Sequence, residues 1–182
     1  MKARLIGITL FVSLALLGSA HATTMLPLDL KALTERADRV VYGTVEKSES
    51  HWTSDHDAIY TDVMVRVARS YKGALHTGET VQVRREGGSV DGIGMKVFGS
   101  ASLQIGEEVV LFLEKRGAAS YVVGMAQGKL RVITAADGTR QVTAPDVSGI
   151  AFLPSQTPVS PPMRRAHALE DFERELHTLV KK

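Results

Sequence analysis

Residues Arg84 to Leu113 read RREGGSVDGIGMKVFGSASLQIGEEVVLFL, and the fold turns on how this stretch is understood. Glycines at 87, 88, 92 and 94 open it, Gly99 follows, and Val109–Leu113 closes it as the most apolar run after residue 22. Glycine is too frequent here for a helix, and a short apolar run bounded by turn residues has the length of a buried strand. We read the stretch as the middle of a small β-barrel: two strands, a glycine-permitted bend, then the central buried strand. The glycines supply positive φ angles and a bulge where the barrel bends. They do not make a phosphate loop, because no Lys-Ser/Thr ending and no helix follow them.

Upstream, Ile59–Tyr71 alternates with period two. Thr61, Val63, Val65, Val67 and Tyr71 fall on one face, Asp62, Arg66 and Ser70 on the other. Val40–Val45 reads as the first strand, Glu46–Asp57 as a polar loop or strand extension, and Val81–Arg84 as the third strand. Met95–Phe98 and Glu107–Lys115 follow as the fourth and fifth strands. Tyr121–Met125 and Leu130–Ile133 come next, and Asp137-Gly138 turns a hairpin into Arg140–Val142. Short strands with frequent turns and no intervening helices mean an all-β barrel or sandwich, not a parallel α/β sheet. Val63, Val65, Val67, Val81, Val83, Leu111 and Leu113 form the expected core. Glu107 and Glu108 point to opposite faces, and an inward Glu108 would need a partner.

Two helices flank the strands. Asp29 stands as N-cap before Leu30, Leu33 and Ala37, a short helix ending near Asp38 whose apolar stripe docks on the barrel. Leu169, Phe172, Leu176 and Leu179 recur at helical spacing, placing a C-terminal helix in residues 167–182. Between them, residues 144–166 carry five of the six prolines. Ile150, Phe152 and Leu153 make this segment a strap across an apolar surface.

At the other end, Met1-Lys-Ala-Arg4 is basic, Leu5–Gly18 is apolar but short for a bilayer, and Ala20-His21-Ala22 suits a small-x-small cleavage site. Residues 1–22 are therefore expected to be a signal peptide, leaving Thr23 as the mature terminus and no membrane association afterwards. Without Lys2 and Arg4, basic and acidic residues are equal at 20 each. A neutral exported domain has no electrostatic case for nucleic acid. The sequence has no cysteine, so neither disulfides nor a lipid anchor on cysteine is available. An exported, disulfide-free chain points to a bacterial periplasm or the bacterial exterior.

The phrases ADRVVYGTV, SYKG, ETVQVR, GEEVVLFL and YVVGMAQGKLRV, in that order over Ala37–Val132, resemble the netrin-like or tissue-inhibitor-of-metalloproteinase barrel. The layout is also similar to that of small exported bacterial proteins of unassigned function. The resemblance implies an OB-like, Greek-key antiparallel barrel over residues 23–143 in an all-β dominated chain. The family's inhibitors chelate a protease zinc through an N-terminal cysteine. Here Thr23 stands at that terminus, so the fold carries over and the inhibitory mechanism does not follow.

Chemistry-bearing residues are few. His51, Asp55, His56 and Asp57 in HWTSDHD could ligate a transition metal, or could be a polar hairpin loop. Trp52 within it is either a contact anchor for a partner or a lid over the barrel end. There is no G-x-S-x-G, and Ser89, Ser100 and Ser102 have no histidine nearby in sequence, which argues against a nucleophilic enzyme. Tyr42, Tyr60 and Tyr71 read as packing residues, and Arg84-Arg85 and Arg164-Arg165 as solvated basic pairs. No cofactor is expected. The leading expectation is a non-enzymatic module docking a protein partner, possibly a protease, through its loops, with Trp52 and Thr23 as partner-binding residues. The alternatives are a metal-binding protein using the His51/His56 loop, and a cell-envelope structural or assembly factor.

Overall fold

The structure, a computed structural model, describes residues 23–148, 150–153 and 166–181. The signal-peptide reading of residues 1–22, residues 154–165 of the strap and the Arg164-Arg165 pair lie outside the described residues. The chain begins with β1 (Thr23–Met25) and α1 (Leu30–Arg36), then β2 (Arg39–Trp52), β3 (Ile59–Lys72) and β4 (Thr80–Glu86). The short β5 (Gly88–Val90) and β6 (Ile93–Met95) precede β7 (Glu108–Arg116), β8 (Ala119–Val122), β9 (Lys129–Thr134) and β10 (Arg140–Thr143). β11 (Ile150–Phe152), β12 (His167–Ala168) and α2 (Leu169–Val180) complete it. The fold is strand-dominated, and most strands belong to one sheet ordered β12-β10-β9-β7-β2-β3-β4-β8, in which β7 also pairs β8.

The neighbours β7, β2, β3, β4 and β8 therefore pair in a cycle. Five strands cannot alternate direction all the way round a cycle, so one pairing has to be parallel. It falls between β4 and β8, through Val83 and Ser120. The expectation of a purely antiparallel arrangement is corrected at this seam, and again where β1 pairs β11 in parallel.

The paired segments Val40–Gly43 of β2 and Val109–Leu113 of β7 lie at the centre and are buried on both faces. On one side Val41, Val45, Val109, Leu111 and Leu113 pack with Val63, Val65, Val67, Val81 and Val83. On the other, Val40, Tyr42, Val110 and Phe112 pack with Leu30 and Leu33 of α1 and with Leu169, Phe172 and Leu176 of α2. Two-sided burial is why Val109–Leu113 is an unbroken apolar run where a half-solvated strand would alternate. Every residue named as expected core is buried.

Local chemistry fixes the ends. Asp29 Oδ1 accepts the Ala32 N–H at 2.7 Å, capping α1 as its sequence position requires. The Glu173 carboxylate of α2 receives Tyr71 Oη–H and Arg69 Nη1–H, and the His177 ring meets the Tyr71 ring edge-on at 5.8 Å. Burial, and then the Glu173 carboxylate, raise the Tyr71 pKa, so this phenol stays a donor. Gly43 marks a bulge between β2 and β3, where a Cβ would lie 2.2 Å from the Arg66 carbonyl oxygen.

Of the two readings of residues 46–57, a loop or an extension of the strand, the second holds for Glu46–Trp52, since β2 runs paired with β3 as far as Trp52 opposite Ile59. Two expectations change. Met95–Phe98 is not a strand of the main sheet: β6 ends at Met95 and pairs only β5, in a hairpin turned by Asp91 (φ 49°) and Gly92 (φ 79°). Of the two glutamates, Glu107 is the enclosed one, with its side chain 7% exposed and held by Lys129 Nζ at 2.7 Å. Glu108 is more open and pairs Arg140.

Leu111→Ala should lower stability by about 2–5 kcal/mol, the cost of a cavity in a core that cannot collapse, read by chemical denaturation. Val65→Asp should abolish the cooperative thermal transition altogether; a soluble variant that melts cooperatively would contradict the placement of β3. Tyr71→Phe should cost about 1–2 kcal/mol by removing one charge-assisted hydrogen bond to α2.

Candidate functional site

Two regions at the strand ends gather polar groups: the tip of the β2–β3 hairpin and a cleft between β4 and β8.

At the hairpin tip His51 and Trp52 belong to the last residues of β2, so they are held by strand pairing and not carried on a loose loop. The turn itself is closed by Thr53 N–H to the Ala58 carbonyl at 2.9 Å. Thr53 Oγ1 donates to Asp57 Oδ1 at 2.8 Å and accepts the N–H groups of Asp57 and Ala58. The same hydroxyl is the largest cause of a lowered Asp55 pKa. His56 adopts a positive φ of 58°, and its ring stacks on Trp52 with centroids 6.0 Å apart and planes 21° from parallel. His51 Nδ1 turns elsewhere, lying 3.8 Å from Asp62 Oδ2. Asp55 and Asp57 thus share Thr53, while His51 turns to Asp62 and His56 to Trp52. Among the described residues, no group of three or more His, Asp or Glu side chains is placed to hold a metal ion. Thr23 begins β1 opposite Ile150, in a two-stranded sheet separate from the one that carries this tip.

The cleft lies at the parallel seam. Beyond the Val83–Ser120 pair, β4 continues as Arg84, Arg85 and Glu86 and β8 as Tyr121 and Val122, and these residues line a space of about 280 Å³. Ala101 and Val122, both members of the interior core, supply its apolar lining together with Met125. Three guanidinium groups border it. Arg84 is engaged by a fork on Asp62, Nε to Oδ1 and Nη2 to Oδ2, each at 2.7 Å, and lies 5.8 Å from the Tyr60 ring centroid. Arg116 pairs with Glu114 and lies 5.2 Å over the Tyr121 ring.

Arg85 has no such carboxylate among the described residues. Its Nη1 makes only a long contact, 3.5 Å, with the Gly87 carbonyl. Its Nε–H is buried and has no hydrogen-bond partner among the described residues. Burial lowers its pKa. Glu86, beside it, is exposed and forms no ion pair with the three arginines. Arg84-Arg85 is therefore not a solvated basic pair, which corrects the expectation from sequence. The alternation contained the warning: Val81, Val83 and Arg85 share one phase, and that phase faces the core.

Ser100, also on the cleft wall, donates its hydroxyl to the Glu86 carbonyl at 3.1 Å. Among the described histidines, His51, His56 and His177 have as neighbours Asp62, Trp52 and Tyr71. No described residue couples Ser100 to an imidazole base.

The Arg84 fork holds the Asp62 carboxyl below its usual range. A depressed native pKa gives stability that is present at neutral pH and lost as pH falls through the native value. Asp62→Asn should therefore flatten the acid limb of the stability–pH curve below about pH 4, the unfolded carboxylate range. Denaturant midpoints measured from pH 7 down to pH 2 would show it, and an unchanged acid limb would argue against the fork.

No protein-family model matches the chain, and no curated protein matches it in sequence.

Proposed function

We propose that this chain is an exported, non-enzymatic binding module built on an OB-type barrel, and that it docks a protein partner through the loops at one end. The cyclic pairing of β7, β2, β3, β4 and β8 with a single parallel seam supports the OB-type reading. Export rests on the basic, apolar and small-x-small pattern of residues 1–22.

The observation that carries the docking function is the β2–β3 ribbon. β2 leaves β7 after Thr44 yet continues, paired to β3, as far as Trp52. It presents Trp52, half-buried and stacked on His56, at the end of a ribbon that β4 backs by pairing β3 as far as Tyr60 opposite Glu86. A large aromatic fixed in one orientation by strand pairing and a ring stack loses little conformational entropy on binding, which suits a contact anchor.

Immobilised protein exposed to the exported protein fraction should retain one stoichiometric polypeptide, and Trp52→Ala should release it while the thermal melt is unchanged. Retention of nothing at any salt concentration, or equal retention by Trp52→Ala, would contradict docking through this ribbon.

A further inference from the structure

The cleft at the β4–β8 seam has features that docking through Trp52 does not require. Among its three guanidinium groups, two are already neutralised inside the molecule, Arg84 by Asp62 and Arg116 by Glu114. Arg85 is the third. It lines the cleft, it follows Val81 and Val83 on the inward phase of β4, and its Nε–H is buried with no acceptor among the described residues. A buried donor without an acceptor destabilises the free protein unless something else supplies the acceptor. The cleft is open on one side, and an acceptor entering there meets the partly exposed Arg85 guanidinium, whose Nη1 has only the long Gly87 contact.

Arginine is the side chain best suited to a planar oxyanion, because its fork matches carboxylate and phosphate geometry. Charge and size choose between them. With Arg84 and Arg116 compensated, a single guanidinium is left for the ligand, which balances a monoanion and undercompensates a phosphate dianion. Glu86, exposed at the rim, further opposes a doubly charged group. The volume of about 280 Å³ sits below the range of about 300–1,000 Å³ usual for drug-sized ligands. It has room for one carboxylate-ended side chain, whose methylenes would lie on Ala101 and Val122 between the Tyr121 ring and the β4 backbone.

We propose that this cleft binds a single carboxylate of the docked partner, an acidic side chain or a chain terminus, on the Arg85 guanidinium. That the carboxylate comes from a protein partner rests on the docking function proposed above; the carboxylate chemistry of the cleft does not.

The test is an NMR titration of the uniformly ¹⁵N-labelled protein, following the arginine Nε–H resonances. N-acetyl-glutamate N-methylamide, N-acetyl-alanine with its free carboxylate, the neutral N-acetyl-glutamine N-methylamide and inorganic phosphate are each added to millimolar concentration. Both carboxylate probes should move the Arg85 Nε–H resonance saturably, and the glutamine analogue should not. Arg85→Met should weaken binding of the carboxylate probes about tenfold or more, the loss of one charge-assisted hydrogen bond. Arg85→Lys should recover little, because an ammonium lacks the fork.

An Arg85 resonance unmoved by either carboxylate, or moved equally by the glutamine analogue, overturns the proposal; so does tighter binding of phosphate. The wild-type titration decides even if Arg85→Met does not fold. A partner retained equally by folded Arg85→Lys overturns the cleft alone, whereas carboxylate binding with no partner retained overturns docking alone.

Discussion

The pairing of β2 with β7, buried on both faces, is the constraint on which everything else depends. Val40 through Gly43 oppose Phe112 through Val109, and Val40, Val41 and Val109–Leu113 are all at most 1% exposed. A strand pair buried on both faces requires two separate apolar surfaces to cover it. One is the inner face of β3, β4 and β8, which must curl round to reach it. The other is the pair of helices, held by Leu33, Phe172 and Leu176 and tied down where Glu173 meets Tyr71 and Arg69. The curl imposes the five-strand cycle, and five strands impose one parallel seam. The cleft is a consequence of that seam, because β4 and β8 meet in register only at Val83 and Ser120.

Polar groups at the periphery follow the same logic. Glu107 sits just before β7, where enclosure begins, and it is met by Lys129 and Arg131 from β9. Asp62 and Arg84 face outward from β3 and β4 and form a cross-strand fork. Arg85 departs from this pattern. It occupies an inward position at the mouth of the core without a matching carboxylate among the described residues, and departures of this kind concentrate where a protein binds something.

Much of the fold was legible in the sequence because its signals are local. The alternation of Thr61, Val63, Val65 and Val67 marked β3, the apolar run at 109–113 marked β7, and Asp29 marked the start of α1. Asp137-Gly138 marked the β9–β10 hairpin, where Gly138 takes a φ of 83°. The extension of β2 was left open, because a ribbon carrying Lys47, Ser48, Glu49 and Ser50 has no apolar period to display. The β5–β6 hairpin was missed although Asp91-Gly92 carries the same turn dipeptide, since strands of only three residues show no pattern. The parallel seam has no local signature: Val83 and Ser120 meet only because the cycle closes. Of the candidate sites, Trp52 was visible by its chemistry. Arg85 was masked by its neighbour Arg84, which made the two look like a surface pair.

The most direct measurement of the central claim, that the strand cycle closes through a parallel β4–β8 seam and so creates the cleft, is a set of nuclear Overhauser contacts in solution. Backbone contacts between Val83 and Ser120, with side-chain contacts from Arg85 to Val122 or Tyr121, are the result expected. Contacts from β8 to β7 alone, with none to β4, would leave the sheet open at that edge and remove the structural basis of the cleft.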